Sequence, residues 1–551
     1  MRSSRARLGR VAVVLALSSC AWGGDARAQA ARQAAAAPAL ASDRPAVTVA
    51  PAAGQDGDRP PAGMGTVAVD ARSLRVALNV AWTLLAAFLA LSVKAGFALV
   101  ETGLIRAKNV AHTMAMNFGI YAIGMLGFWA CGFALMFGGH GPFPTFDGAD
   151  VLDAMGSITL FGRTWDLIGS RGFFLGGGAA EAGVLAAFVF QAVLLDTAAT
   201  IPTGAMAERW KFSAFVAYGF AASMLIYPVY GCWVWGKGWL SDLGGMFGLG
   251  SGVVDFAGSS VVHMTGGVMA LAGSWVLGPR IGKYGRGGAA NAIPGHNVPM
   301  VALGTLFLAF GWFGFNAGRG FDATDLRIAS IATCTLLATA AGCLAALLTM
   351  WSIFGKPDPT MGCNGLLAGA VAISASCAYV SPIGAAVIGG IAGVLVVGSI
   401  LAVDKYLKVD DPVGAISVHG VCGAFGCLAV GLFATGEYGA NTNGVALAPI
   451  GFFHGGGFGQ LGAQAVGVLV NILWVMPVSL LVFGLIGQTI GNRVSARAEI
   501  EGLDVPEMGV LGYVDEDTYA VQTAGQDFLA TFGPGVPAKG TPKSGLGDKR
   551  G

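Results

Sequence analysis

The chain has 551 residues, of which 54% are hydrophobic and 11% charged, and its mean hydropathy is +0.67. No soluble core can bury that much apolar surface, so the composition excludes an ordinary soluble domain and points to a polytopic membrane protein in a lipid bilayer. A formal net charge of +1 leaves no basic footprint, and nucleic acid is not an expected partner.

Residues 1–30 open with arginines, pass through a short apolar run from Val11 to Leu17, and close on the small-x-small sequences Ala26-Arg27-Ala28 and Ala28-Gln29-Ala30. This is the pattern of a cleaved signal peptide, with Leu17-Ser18-Ser19-Cys20 as a lipoprotein-like alternative. Residues 31–71, rich in Ala, Pro, Gly and Asp, read as a disordered external linker. The membrane domain is expected over 72–492, where eleven apolar runs of spanning length start near Val76, Val110, Ala179, Ser213, Asp255, Asn297, Leu326, Gly362, Ile383, Ala415 and Gly462. Residues 493–551 read as a polar cytoplasmic tail, disordered from 521. Its predicted inner loops and tail carry Arg106, Lys108, Arg209, Lys211, Arg280, Lys283, Arg286, Lys356, Lys405, Lys408, Arg493 and Arg497, against Arg163, Arg171, Lys237, Arg319 and Arg327 outside. That bias predicts a multi-pass protein of the plasma (inner) membrane with its N-terminus outside and C-terminus inside.

The eight cysteines after Cys20 fall singly in or near apolar runs, with no Cys-x-x-Cys pair, and read as small packing residues. The 88 glycines suit helices that pack closely in lipid.

Two segments stand apart, DFAGSSVVHMTGG (Asp255 to Gly267) and DPVGAISVHGVCG (Asp411 to Gly423). They share Asp, then Gly three residues on, Val-His, and Gly four past the His, at a constant offset of 156 residues. With helices 1–5 and 6–10 as two halves and one final helix, the fifth enters from outside and the tenth from inside, so the halves form an inverted five-helix repeat. Eight residues at 1.5 Å each carry His263 and His419 about 12 Å into the membrane from opposite faces. Both imidazoles then meet near the midplane, where inverted-repeat transporters keep their sites. A single buried His is ordinarily a satisfied interhelical hydrogen bond; two in one repeated pattern mark a shared site, because ionisable groups are costly in lipid. No third His, Cys or carboxylate recurs at that depth to complete a metal site, and neither metal nor other cofactor is expected. Facing imidazoles that share a proton suit a small species able to donate or accept hydrogen bonds. His112, His140, His296 and His454 lie in or near loops or helix ends and are given no such role.

From about residue 72 to 513 the chain resembles the ammonium transporter (Amt/Rh) family, bacterial Amt type. The resemblance rests on GLIRAKN (Gly103 to Asn109), TGAMAER (Thr203 to Arg209), DFAGSSVVH, GWFGFNAG (Gly311 to Gly318), VDDPVGAISVHGVCG and EGLDVPEMGVLGY (Glu501 to Tyr513). It implies an all-α homotrimer of eleven-helix protomers, each with its own hydrophobic pore, and it implies transport, not enzymatic chemistry. Position by position, His263 and His419 resemble the family's pore pair, Phe315 a gate phenylalanine, and Trp235 and Phe190 the aromatics that hold ammonium by cation–π attraction above Asp255. Such rings supply roughly 0.5–2 kcal/mol. Leu194 stands where a second gate phenylalanine is usual, and Arg319 where a serine is usual. Arg319 is expected to be drawn outward by Asp322 or Asp325, leaving the outer site to the ion. The tail motif resembles one that contacts neighbouring protomers and answers to a PII-type signal protein. The resemblance thus predicts recruitment of ammonium, with methylammonium as analogue, its deprotonation, and conduction of ammonia. An ammonium sensor on the same scaffold and an Rh-like gas channel are the rival readings; Trp235 argues against the gas channel, since a neutral gas needs no cation–π site. An integral-membrane enzyme with a His-bound metal is a further alternative.

Overall fold

The computed structural model describes residues 70–141, 143–146, 152–177, 179–437 and 448–513. The expected signal peptide, the linker up to residue 69 and the tail from 514 lie outside the described residues.

Ten helices among the described residues are long and apolar enough to cross a membrane. They are α1 (Ala71–Leu104), α2 (Ala107–Phe137), α3 (Ala182–Ala205), α4 (Phe212–Trp235), α5 (Ser259–Leu277), α6 (Val298–Gly320), α7 (Arg327–Phe354), α9 (Pro382–Leu407), α10 (Ile416–Phe433) and α11 (Gly459–Thr489). Each overlaps one of the predicted runs. The remaining predicted run is α8 (Pro359–Ser374), which has 16 residues. It stops early because the backbone turns to meet the start of α5: Phe256 and Ala257 donate to the carbonyls of Ala375 and Ser374, and Ser259 Oγ accepts from Ala375 N.

Entry into α6, α8 and α9 is written locally. Asn297, Asp358 and Ser381 each accept a backbone N–H of the first turn, and a proline follows in the first turn of each helix. Packing between helices uses small residues, as lipid-embedded bundles do. Gly96 of α1 and Gly304 of α6 face one another so closely that a Cβ on either would stand 2.8 Å from the other's carbonyl oxygen. Large apolar side chains point outward, among them Phe88, Leu303, Leu306, Phe310, Leu344, Leu473 and Leu481, which is the surface a bilayer requires. The protein is therefore a multi-pass membrane protein, helical among the described residues apart from one hairpin.

That hairpin, β1 (Met155–Leu160) with β2 (Arg163–Gly169), is antiparallel and turns at Phe161-Gly162. It follows the end of α2 and defines one face of the helix bundle. The opposite face carries the C-terminal segment, where α12 (Ala496–Glu501) and a wide turn at Asp504–Met508 pack.

Acidic residues of that segment bind the helix starts around them. Asp504 Oδ1 accepts from His112 N near the start of α2, and Glu507 Oε2 from Phe212 N at the start of α4, both favourable places for negative charge. Asn109 Oδ1 accepts from Leu503 N, and Lys108 Nζ donates to the Glu499 carbonyl at 2.8 Å. Beside them Arg280 bridges Glu208 at 2.9 Å and Asp410 through two nitrogens at 2.8 and 2.9 Å, while Arg106 pairs with Glu208 from the other side. Burial alone would raise the Asp410 carboxyl, but hydrogen bonds from Arg280 and the charge of Arg209 hold it down at about 2. The motifs GLIRAKN, TGAMAER and EGLDVPEMGVLGY thus meet on one face as a buried polar belt.

Candidate transport pore

Each histidine of the repeated segments sits in a wide, five-residue-per-bond helical turn at the very start of its helix, Ser259–Met264 for α5 and Ile416–Val421 for α10. Such turns are rare and recur at functional sites. The repeated aspartates organise them. Asp255 Oδ1 accepts from the N–H groups of Gly258 and Ser259, and Oδ2 from Ser260 N, Ser260 Oγ and Val261 N, all within 3.0 Å. Asp411 does the same for Val413, Gly414 and Ile416. Both carboxylates satisfy the orphan N–H groups of a helix start. Asp255 therefore has both carboxylate oxygens engaged by its own segment.

The repeated glycines set the contact between the two helices. A Cβ on Gly267, four past His263, would stand 2.1 Å from Gly420 N, and one on Gly423, four past His419, would stand 2.5 Å from the Ser259 carbonyl oxygen and 2.9 Å from Met264 N. Each glycine thus touches backbone near the other helix's histidine. Nothing larger fits. This close approach brings His263 Nδ1 to 3.3 Å from His419 Nδ1, with the rings tilted by 25°. One Nδ1 must carry the proton and the other accept it.

The walls around the pair are aromatic. Trp312 and Phe315 of α6 stack on His263 at centroid distances of 5.1 and 5.6 Å, and Phe97 of α1 lies 5.7 Å from His419. Phe315 was predicted; Trp312 and Phe97 were not. Trp312 is fixed by its indole N–H, which donates to Ser374 Oγ at the end of α8. His263 Nε2 is buried and has no hydrogen-bond partner among the described residues.

On the hairpin side of this pair Trp235, Phe190, Asp255 and Arg319 come together. Trp235 Nε1 donates to the Asp255 carbonyl at 2.6 Å. Phe190 packs edge-on to Phe321 at 5.3 Å, and a Cβ on Gly318 would stand 2.6 Å from the Phe190 ring. Leu194, one turn along α3, is fully buried.

Arg319 departs from the sequence expectation. Its guanidinium carbon lies 4.4 Å from the Trp235 ring centroid and 5.1 Å from that of Phe321, and the residue is 4% exposed. The two acids expected to draw it outward are engaged elsewhere: Asp322 with Arg75 at 2.7 Å, Asp325 with Arg327 at 2.8 Å. Phe321, held at a left-handed φ of 54°, turns the chain immediately after Arg319. Among the described residues no carboxylate pairs with Arg319, and its Nε is buried without a hydrogen-bond partner. The guanidinium occupies the aromatic face that the sequence assigned to ammonium.

A helical membrane protein with two ionisable groups meeting inside an aromatic-walled interior belongs to the class of transporters and channels for small solutes. Comparison with known proteins specifies the class. A sequence model of the Ammonium Transporter Family matches residues 81–513, and the chain belongs to that family. It is 42% identical over 435 residues to ammonium transporter Amt2 of Archaeoglobus fulgidus, spanning 78% of this chain and 87% of the relative. It is 35% identical over 457 residues to ammonium transporter Amt1 of Haloferax mediterranei, spanning 81% of each. Among solved structures it resembles a sensor Amt protein (TM-score 0.68, 35% identity, 79% of this chain and 99% of the other). It also resembles Mep2 of Saccharomyces cerevisiae (TM-score 0.65, 26% identity, 76% of this chain and 88% of the other).

Proposed function

We propose that the protein is a plasma-membrane ammonium transporter that conducts ammonia between His263 and His419. The 3.3 Å approach of the two imidazoles in an aromatic-walled interior is the observation that carries this reading. A shared proton leaves one ring nitrogen to accept and another to donate, which matches the lone pair and N–H groups of ammonia. Phe97, Trp312 and Phe315 offer no oxygens to replace the hydration shell of a potassium or sodium ion, so hydrated metal cations are excluded.

In this reading α8 completes eleven crossings, α1–α5 and α6–α10 form inverted halves, and the chain assembles as a homotrimer with its N-terminus outside. The hairpin face is then external, and the C-terminal face is where a PII-type protein would act. Leu194 and Phe315 narrow the path from outside. The outer aromatic site works with a resident cation: Arg319 lies on Trp235, so ammonium is weakly held, gives up its proton in the vestibule, and enters as ammonia. The test is reconstitution into liposomes with an imposed ammonium or methylammonium gradient. Uptake that persists under excess potassium supports the reading; no uptake above empty liposomes overturns it.

A further inference from the structure

Beside the histidine pair a second line of polar groups runs between α1 and α3, and transport of ammonia does not use it. On α1, Lys94 and Glu101 are seven residues apart and share a face. On α3, Asp196, Thr200 and Thr203 recur at the same helical spacing. Lys94 Nζ lies 3.0 Å from Asp196 Oδ1 and donates to Thr200 Oγ1 at 2.6 Å. The Thr203 hydroxyl stands 2.6 Å from the Thr200 carbonyl and 2.7 Å from Glu101 Oε2, which also accepts from Asn117 Nδ2 at 2.8 Å. Glu101 is 2% exposed, and Thr203 and Asn117, its side-chain donors among the described residues, are both neutral.

The two ends of the line matter. Asp196 follows Leu194 by two residues, at the level of the expected outer gate. Glu101 lines a narrow cavity whose other walls include His419, Val418, Phe97, Leu308 and Asn364. An acid in a membrane interior is costly and calls for a task. Three ionisable groups lie in one stripe that ends on the cavity beside His419.

We propose that Asp196, Lys94 and Glu101 carry protons alongside the ammonia pore, with Glu101 at the inner mouth. This rests on the transport reading above. Ammonium breaks one N–H bond at the outer end, its electron pair stays on ammonia, and the proton enters the line. Ammonia crosses between the histidines. In the cavity the Glu101 carboxylic acid gives its proton to the ammonia lone pair, ammonium leaves, and the carboxylate is reprotonated from the Lys94–Asp196 end. The sum is one ammonium moved and Glu101 unchanged.

The test uses the full chain in liposomes and records ammonium-evoked current and, in parallel, ammonia flux as the total ammonia plus ammonium gained by the lumen. Glu101→Gln, and separately the neutral pair Lys94→Gln with Asp196→Asn, should lower the current at least tenfold while ammonia flux stays within about threefold. Glu101→Asp should keep at least half the current, which separates lost proton exchange from a misfolded protein. Unchanged charge per ammonia in the neutral variants would overturn the proposal, as would joint loss of current and flux in Glu101→Gln, or wild-type flux without current. Absence of both signals in the wild type would instead sink the transport reading, and this inference with it.

Discussion

Replacing Arg319 by Ser should raise the apparent affinity for ammonium steeply. The guanidinium carbon lies 4.4 Å from the Trp235 centroid, so an ammonium ion on the same face must displace it. An ion that instead stays about 8 Å away meets a repulsion of about 2 kcal/mol at an effective dielectric of about 20. Regaining the free aromatic face adds roughly 0.5–2 kcal/mol. Together these give about 2.5–4 kcal/mol, or roughly 60- to 800-fold. Water filling the emptied space weakens both terms, so we set the expected gain at thirtyfold or more. The assay is the ammonium concentration that halves methylammonium uptake into liposomes, compared for wild type, Arg319→Ser, Trp235→Leu and the double variant. Trp235→Leu should matter little while Arg319 is present and cost about tenfold once it is gone. A shift below threefold in Arg319→Ser would refute the idea that Arg319 fills the site.

Trp312→Phe removes the indole bond to Ser374 that holds the ring on His263, and it should lower ammonia flux about tenfold with little change in affinity. Asp410→Asn breaks a buried, bidentate pair with Arg280 and should lower stability by about 3–5 kcal/mol, read as a fall in melting temperature. Because the folded carboxyl is held at about 2, below its ordinary 3.8, its contribution is full above pH 4 and is lost as pH falls toward 2. The stability gap between wild type and Asp410→Asn should therefore narrow by about 2 kcal/mol between pH 5 and pH 2; a gap that holds constant would contradict the assignment. Asp504→Ala with Glu507→Ala should free the C-terminal segment from α2 and α4, seen as at least tenfold faster proteolysis after residue 496 with the membrane helices intact.

Much of this architecture was legible in the chain because lipid leaves few choices. Apolar length located the helices, and the Asp-Gly-His-Gly spacing in two segments foretold a pair of helices meeting at their histidines. What the spacing could not reveal is that the aspartates cap wide turns and that the glycines are the contact surface. Both depend on where the other helix lies. Trp312 sits three residues before Phe315 on one helical face, a signal available in GWFGFNAG. The direction of Arg319 is not written locally, because it depends on which cations claim Asp322 and Asp325, and Arg75 comes from α1, 247 residues earlier. The motifs GLIRAKN and EGLDVPEMGVLGY carried the resemblance, yet their use is structural, in contacts spanning nearly 400 residues that no local pattern encodes. The β1–β2 hairpin has no such signal: its strands are short, β1 almost wholly exposed and β2 half-buried along most of its length, so neither shows the alternation that marks a strand.

Ammonia flux through His263→Ala and His419→Ala tests the central claim most directly. Each variant, reconstituted beside the wild type and checked for equal insertion, should be followed by the total ammonia plus ammonium gained by the lumen under an ammonium gradient in excess potassium. The account predicts that either substitution leaves one imidazole without its 3.3 Å partner and cuts selective ammonia flux at least tenfold, with potassium leak rising. Wild-type flux and wild-type selectivity in both single variants would contradict it.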